Sequence, residues 1–282
     1  MSLDVSTVGA TSGTHTHEYG WRDQAAYALG IGAKRDELAF LYEGHPGGMQ
    51  VVPTYAVVPA FEIVVELLKV AGVDLAAVVH GAQRIVAHRP VPAAGKVTTT
   101  GRIAGLYDLK RFAQLVVETH TTLDGEALFD TEWTIVLRED GGFGGERPPR
   151  DPAPKLPTDR DADWVVAQAT SPEQALLYRL SGDINPLHAD PEFAASVGFP
   201  EGPILHGLCT YGHIARAVIQ QSGAGQATRL RSLTAQFRKP VWPGDTIVTK
   251  GWDVGSGKIA LRTMVEAESD TVVAKAWAEI VA

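Results

Sequence analysis

Residues Tyr178–His188 read Tyr-Arg-Leu-Ser-Gly-Asp-Ile-Asn-Pro-Leu-His, and Ile204-Leu205-His206-Gly207 follows shortly after. The first stretch carries Asp183, Asn185 and His188 on a loop framed by Gly182 and Pro186. The second sets a glycine amide at the start of a long apolar run. A carboxylate and an imidazole supply an acid/base pair, an amide side chain orients a small reactant, and a helix N-terminus stabilises negative charge. Together they suit a reaction at a carbonyl compound whose oxygen gains charge in the transition state.

Gly182 permits a tight turn, and Asn185-Pro186 resists helix until the turn is complete. Asp190-Pro191-Glu192 then reads as N-cap, N1 proline and first-turn acid of a short helix closed by Gly198. His188 is placed just ahead of that helix, with Asp183 across the turn. On a pocket wall the two would hold one water between them, Asp183 as base and His188 as its partner. The competing reading is a turn-capping Asp183 and a surface His188. Gly207 is equally double: a small residue for close packing, or an exposed N–H at the positive end of a helix dipole, able to bind an oxyanion. His206, His213, His15 and His17 show no comparable arrangement, and His206 reads as a packing or hydrogen-bonding residue. No set of His, Asp, Glu and Cys has metal-ligand spacing along the chain, so no metal is expected. Tyr42–Gln50, with its Gly-His-Pro-Gly-Gly, reads as a loop and not as a phosphate-binding motif.

The elements around these residues occur twice. At an offset of 150, His88-Arg89-Pro90-Val91 falls on Arg238-Lys239-Pro240-Val241, and Pro53 falls on Pro203, each proline opening a long apolar helix. At 151, Tyr27-Ala28-Leu29-Gly30 falls on Tyr178-Arg179-Leu180-Ser181, and Gln83 lies near Gln236 in matching strand-like runs. A fixed period predicts two copies of one fold. Each copy reads as a short helical region, a long apolar helix (Ile204–Gln221 in the second copy), then several strands. Those of the second copy are Leu233–Phe237, Thr246–Lys250, Ile259–Met264 and Val272–Ile280; Gly95-Lys96, Asp108-Leu109 and Asp124-Gly125 mark turns in the first. One helix followed by consecutive antiparallel strands makes an α+β fold whose sheet buries a face on the helix. The expected division is 1–140, a Gly/Pro-rich linker over 141–157, and 158–282.

A chain of 282 residues buries a proper core in one large or two ordinary domains, and 45% apolar with 21% charged residues is a globular balance. A net charge of −8 argues against nucleic acid as a partner, because phosphate binding needs a basic face. Cys209 is the only cysteine, which predicts no intrachain disulfide and a reducing compartment. The polar, Gly/Thr-rich opening residues do not read as a secretory signal. The apolar run 53–70 is interrupted by Glu62 and Glu66, so it reads as a buried amphipathic helix and not a membrane span. The expected location is cytoplasmic, with no membrane partner.

Tyr178–His188 followed by Ile204-Leu-His-Gly-Leu-Cys-Thr210 resembles the signature of the MaoC-like 2-enoyl-CoA hydratases, the hydratase 2 group. Val78-Val79-His80-Gly81-Ala82-Gln83 and the glycine run Gly141–Gly145 are similar to the hydratase domain of peroxisomal multifunctional enzymes. The resemblance spans nearly the whole chain. It implies a double hot-dog fold, two helix-wrapped antiparallel sheets side by side, in which only the C-terminal copy keeps the catalytic loop. The implied reaction is reversible syn hydration of a trans-2-enoyl-CoA to the (3R)-3-hydroxyacyl-CoA, needing no cofactor, since coenzyme A belongs to the substrate. Carried over residue by residue, Asp183 and His188 activate water and protonate the alpha carbon, Asn185 orients that water, and the Gly207 amide polarises the thioester. His80 and Gly81 match positions touching the CoA-bearing substrate, Phe237 one beside the thioester, and Lys110 a lysine near the CoA phosphates. Core packing is the alternative for Phe237. A homodimer is also implied.

In the N-terminal copy, Tyr27–Lys34 places no Asp or His where Asp183 and His188 stand. That copy cannot repeat the chemistry, and losing the loop would leave space for a long acyl chain. Two other functions fit the same fold: an acyl-CoA thioesterase, or a non-catalytic acyl-CoA binding subunit.

Overall fold

In a computed structural model, the described residues are 3–74, 78–138, 140–149 and 153–281, with 268–271 described as backbone only. The first half runs β1 (His15–Tyr19), α1 (Trp21–Gly30), α2 (Leu38–Leu41), α3 (Val57–Val70), β2 (Val78–Ala87), β3 (Gly95–Leu109), β4 (Phe112–Leu123) and β5 (Glu126–Leu137). The second runs β6 (Trp164–Ala169), α4 (Gln174–Tyr178), α5 (Pro191–Ser196), α6 (Gly207–Gln221), β7 (Leu230–Phe237), β8 (Thr246–Asp253), β9 (Lys258–Val265) and β10 (Glu268–Ile280).

All ten strands form one antiparallel sheet in the order β1-β3-β4-β5-β2-β7-β10-β9-β8-β6. Read outward from the β2/β7 seam, the two five-strand sets have the same order, so the repeat in the sequence is a pseudo-twofold in space. Five residue pairs close the seam, from Ala82 opposite Gln236 to Val86 opposite Ser232. The helices α3 and α6 begin 150 residues apart, as the offset predicts.

Three expectations are corrected. The long helices start later than their prolines: Pro53–Ala56 is a 3₁₀ turn, and 204–206 are extended before α6 begins at Gly207. The Leu205 N–H is already committed to the Val241 carbonyl at 2.7 Å, so residue 205 belongs to the sheet side of the junction. Each half also opens with a strand, β1 or β6, pairing at the outer edge of its sheet. β1, His-Thr-His-Glu-Tyr, has no apolar alternation, and β6, Trp-Val-Val-Ala-Gln-Ala, is six residues long with its second residue, Val165, exposed, so neither follows the half-buried pattern of a strand. Gly95 and Lys96 start β3 and do not form a turn.

The helix α3 buries Ala60, Ile63, Val64, Leu67 and Leu68, and turns Glu66 outward to bond His15 at 2.6 Å. By contrast α6 is buried almost all round, from Leu208 to Ile219. Each fully buried aliphatic side chain there contributes roughly 1.5–3 kcal/mol. One face of α6 lies on the sheet. The other is covered by residues 27–37 of the first half, the segment matching the candidate catalytic loop. Ile31 is fully buried against Gly212. Gln174 donates to the Leu29 and Gly30 carbonyls at 2.9 and 2.7 Å, and Arg216 donates to the Ile31 carbonyl at 3.1 Å and pairs with Glu37. The space expected where the first half lacks the loop is therefore filled, at that position, by Ile31.

A methyl group on Gly212 would meet Ile31 Cγ2 at 2.2 Å. Overpacking outweighs the better helix propensity of alanine, so Gly212→Ala is expected to lower unfolding stability by roughly 1–2 kcal/mol. Urea unfolding measures this, and an unchanged or higher midpoint contradicts the packing described.

Candidate active site

The loop after α4 is shaped by its own backbone. Gly182 sits at φ +117°, a left-handed conformation that L side chains rarely adopt, and it swings the chain so that Asp183 points inward. The Asp183 carboxylate accepts the Asn185 N–H at 3.2 Å, and the Asn185 side-chain oxygen accepts the Leu187 N–H at 3.0 Å, capping the 3₁₀ turn Pro186–His188. Asp190 then caps α5 through the Glu192 and Phe193 amides, as its spacing predicts. Arg179 donates to the Ile184 carbonyl at 3.3 Å, tying the loop across its mouth.

His188 is buried, and its Nδ1 lies 2.8 Å from the Ile204 carbonyl. A carbonyl only accepts, so Nδ1 carries the proton, and in the neutral ring Nε2 keeps its lone pair. The same logic holds for His206: Nε2–H donates to the Asp183 main-chain oxygen at 3.1 Å, leaving Nδ1 buried without a partner among the described residues. The two imidazoles stack with centroids 3.7 Å apart, and the Tyr178 ring lies 4.8 Å from His206. Burial pushes the Asp183 carboxyl above its ordinary value against the opposing pull of His188 and the Asn185 N–H. Burial likewise pulls the His188 imidazole down, against the attraction of Asp183. Desolvation thus favours the neutral form of each group, while their mutual attraction favours the charged forms.

His206 is also the residue before α6, and no side chain caps that terminus. The Gly207 N–H, first in the helix, stands at the positive end of the dipole beside the acid/base pair. A Cβ at Gly207 would lie 3.5 Å from the Phe237 ring, an ordinary contact, so the glycine leaves a shallow space above that ring. Phe237 meets His80 edge-on at 5.2 Å, and His80 stacks on Trp133 at 5.2 Å. His80 donates from Nε2 to the Ala82 carbonyl at 3.0 Å across the bulge of β2, and burial lowers its pKa to about 4. Gly81 is the bulged residue, where a Cβ would meet Val136 at 2.8 Å.

The structure therefore joins Asp183, Asn185, His188, Gly207, Phe237, His80 and Gly81 through successive neighbours across the seam. Lys110 stands apart from that chain of contacts. It occupies the β3–β4 turn at φ +71°, its N–H on the Asp108 carboxylate at 2.6 Å. The Gly142 and Gly144 amides bond the same carboxylate, at 3.0 and 2.7 Å, so the glycine run is docked on this turn. Those N–H groups, the Gly142 amide foremost, hold Asp108 below its usual carboxylate range.

His206 packs and hydrogen-bonds as its sequence reading expects, against the rings of His188 and Tyr178 and on the Asp183 main-chain oxygen. Its side chain meets the loop only because α6 begins one residue later, and twenty-three residues separate it from Asp183. The useful signal was its place directly before a helix-opening glycine. Folding brings one ligand atom each from Asp183, His188 and His206 within 4.8 Å of one another, a grouping that their spacing along the chain does not display.

Residues 17–139 match the family model of the MFE-2 hydratase 2 N-terminal domain, and residues 154–276 that of the MaoC-like domain. The chain is 42% identical to 3-hydroxyacyl-thioester dehydratase Y of Mycobacterium tuberculosis, over 94% of this chain and 92% of that protein. It is 38% identical to the peroxisomal enoyl-CoA hydratase 2 of Arabidopsis thaliana, over 92% and 89%. The crystal structure of a MaoC-like dehydratase from Phytophthora capsici superposes with a TM-score of 0.89 at 30% identity, covering 99% of this chain and 98% of that one. With both halves matched and the fold shared over nearly the whole chain, the chain belongs to the double hot-dog MaoC-like hydratase 2 family.

Proposed function

We propose that this enzyme hydrates trans-2-enoyl-CoA thioesters reversibly to (3R)-3-hydroxyacyl-CoA, a hydro-lyase reaction. The observation that carries the reading is the meeting of a buried carboxylate–imidazole pair with an uncapped helix amide. Relatives named as enoyl-CoA hydratase 2 and as a 3-hydroxyacyl-thioester dehydratase support it.

The Gly207 N–H takes the thioester oxygen and draws electron density away from C3. One well-placed donor of this kind is worth about 3 kcal/mol in the transition state. Water sits between Asp183 and His188, oriented by the Asn185 amide nitrogen, because the Asn185 oxygen is already used on the Leu187 N–H. The water oxygen bonds to C3 as one of its protons passes to the pair, and the double-bond electrons move through C2 onto the thioester oxygen. C2 then takes a proton from the pair and the carbonyl re-forms. Both new bonds arise on the face where the pair lies, which makes the addition syn. The Ile204 carbonyl keeps His188 in the tautomer this exchange needs. Such positioned acid–base transfer contributes about 10²–10⁴-fold.

Phe237 packs beside the thioester, His80 and Gly81 line the CoA-bearing side, and Lys110 contacts the CoA phosphates. Coenzyme A enters with the substrate, and the steps above draw on no further cofactor. The first half, 1–140, serves to bind acyl-CoA. Family resemblance supports a homodimer, and the lone buried Cys209 is consistent with a cytoplasmic location. Among the described residues, no helix is long and apolar enough to cross a membrane.

With crotonyl-CoA the enoyl absorbance is expected to fall without release of free thiol. Thiol appearing at the same rate would instead identify a thioesterase. Asp183→Asn keeps the shape of the side chain, and turnover is expected to drop by about 10²–10⁴-fold; near-normal hydration by the folded variant would refute the assigned role. Gly207→Pro isolates the amide. Proline is tolerated at the first helical position, and His206, at φ −59° and ψ 136°, already has the backbone a following proline requires. The variant is expected to fold but to lose about 10²–10³-fold in kcat. Full activity would remove the oxyanion role.

A further inference from the structure

A hydrogen bond through one nitrogen fixes a histidine's tautomer but leaves the ring free to tilt about that bond. His188 has one such tether among the described residues, Nδ1 on the Ile204 carbonyl at 2.8 Å. Across its face lies the His206 imidazole, stacked at 28° with centroids 3.7 Å apart. His206 is itself held from three sides. It is 1% exposed, its Nε2–H donates to the Asp183 main-chain oxygen at 3.1 Å, and the buried Tyr178 ring lies 4.8 Å from it. Tyr178 is backed in turn by Tyr27 of the first half, 6.1 Å away. A column of four rings thus runs from α1 to the acid/base pair. Within it, His206 touches both the imidazole of the pair and the residue that carries its carboxylate, and it directly precedes the Gly207 amide.

We propose that His206 is a positioning residue for the hydration: its ring face fixes the direction of the His188 Nε2 lone pair, while its Nε2–H holds the loop that carries Asp183. One side chain thereby aligns both members of the pair beside the Gly207 amide. A phenylalanine in its place would keep the ring face but leave the buried Asp183 carbonyl without its donor. A glutamine would keep the bond and lose the face. Histidine supplies both, provided the ring stays neutral, and its surroundings keep it so. Its Nδ1 has no partner among the described residues, so a proton there would bury a charged N–H with nothing to receive it. Burial, and after it the neighbouring His188, push the His206 pKa well below the usual imidazole range. When His188 takes a proton from water, it therefore faces a neutral ring and not a second cation. The effect on turnover rests on the hydratase reading; the assigned geometry does not.

The test uses the full chain with isotope-labelled histidine. Near neutral pH, nitrogen NMR of the wild type should show both rings neutral and in opposite tautomers, His188 protonated on Nδ1 and His206 on Nε2. His206→Gln sets an amide nitrogen where Nε2 lies, keeping the loop bond without the ring face, and His206→Phe does the reverse. In each folded variant kcat for crotonyl-CoA is expected to fall about 10–10²-fold with KM changed less than about threefold. A misplacement of about 1 Å costs up to about 10²-fold, and the substrate's own contacts are untouched. Carbon relaxation of the His188 ring should report larger ring motion in His206→Gln. Near-normal kcat in either folded variant, a loss carried mainly by KM, or an unchanged His188 ring in a slowed His206→Gln each overturns the positioning role. So does a wild-type His206 that is charged or protonated on Nδ1, a result that stands even if neither variant folds. A wild type with the expected tautomers that never hydrates crotonyl-CoA defeats the function proposed above, and with it the effect on turnover, while the assigned geometry stands.

Discussion

The antiparallel pairing of β2 with β7 is what makes the two halves one molecule. Unpaired, both strands would present open edges, and each five-stranded sheet would carry its own exposed ladder. Paired, they set His80 of the first half against Phe237 of the second. Phe237 in turn lies against Gly207, so the first residue of α6 is linked through Phe237 to His80 on a strand of the other half. The bulge at Gly81 lies on the β5 side of β2, one residue before the seam begins, and has no room for a side chain, because Val136 of β5 fills the position a Cβ would take. Position along one sheet thus dictates which residues can share a pocket.

The pseudo-twofold sets the candidate loop of the second half against a packed segment of the first. Tyr27 and Tyr178, equivalent at an offset of 151, face each other with centroids 6.1 Å apart. Counting on from them, Asp183 corresponds to Gly32 and His188 to Glu37. Gly32 is pressed by His213, whose Nε2 would lie 2.3 Å from a Cβ there, and Glu37 is paired with Arg216. Where the second half has Asp183 and His188, the first half thus has one glycine and one member of a structural ion pair. Ile31 completes the plug against Gly212, so the first-half segment stabilises α6 where the second-half loop exposes its N-terminus.

Local chemistry makes the loop legible in the amino-acid sequence: Gly182, Pro186 and the Asp190 cap each dictate backbone by themselves, and all three act as their types predict. The repeat is legible because α3 and α6 keep their spacing. What stays hidden depends on contacts distant in sequence. The strands β1 and β6 are short, five and six residues, and the edges of β3 and β8 give them their place. Whether α6 begins at Ile204 or Gly207 turns on the Leu205 bond to Val241, which no local pattern encodes. Those three residues decide that Gly207 is the first amide of the helix and that His206 faces the loop.

The site tethers its imidazoles by hydrogen bonds to backbone alone. The Ile204 carbonyl holds His188 and the Asp183 carbonyl holds His206, while side-chain partners do neither job. A carboxylate in that place would stabilise the charged ring and make a stronger base, at the cost of a second buried negative charge beside Asp183. A carbonyl fixes the tautomer without adding charge, so desolvation and the single Asp183 carboxylate remain the main forces on the proton. The same carbonyls belong to the loop and to the lead-in of α6. Any shift of the loop relative to the helix would therefore move both rings together and change their alignment with the Gly207 amide in one motion.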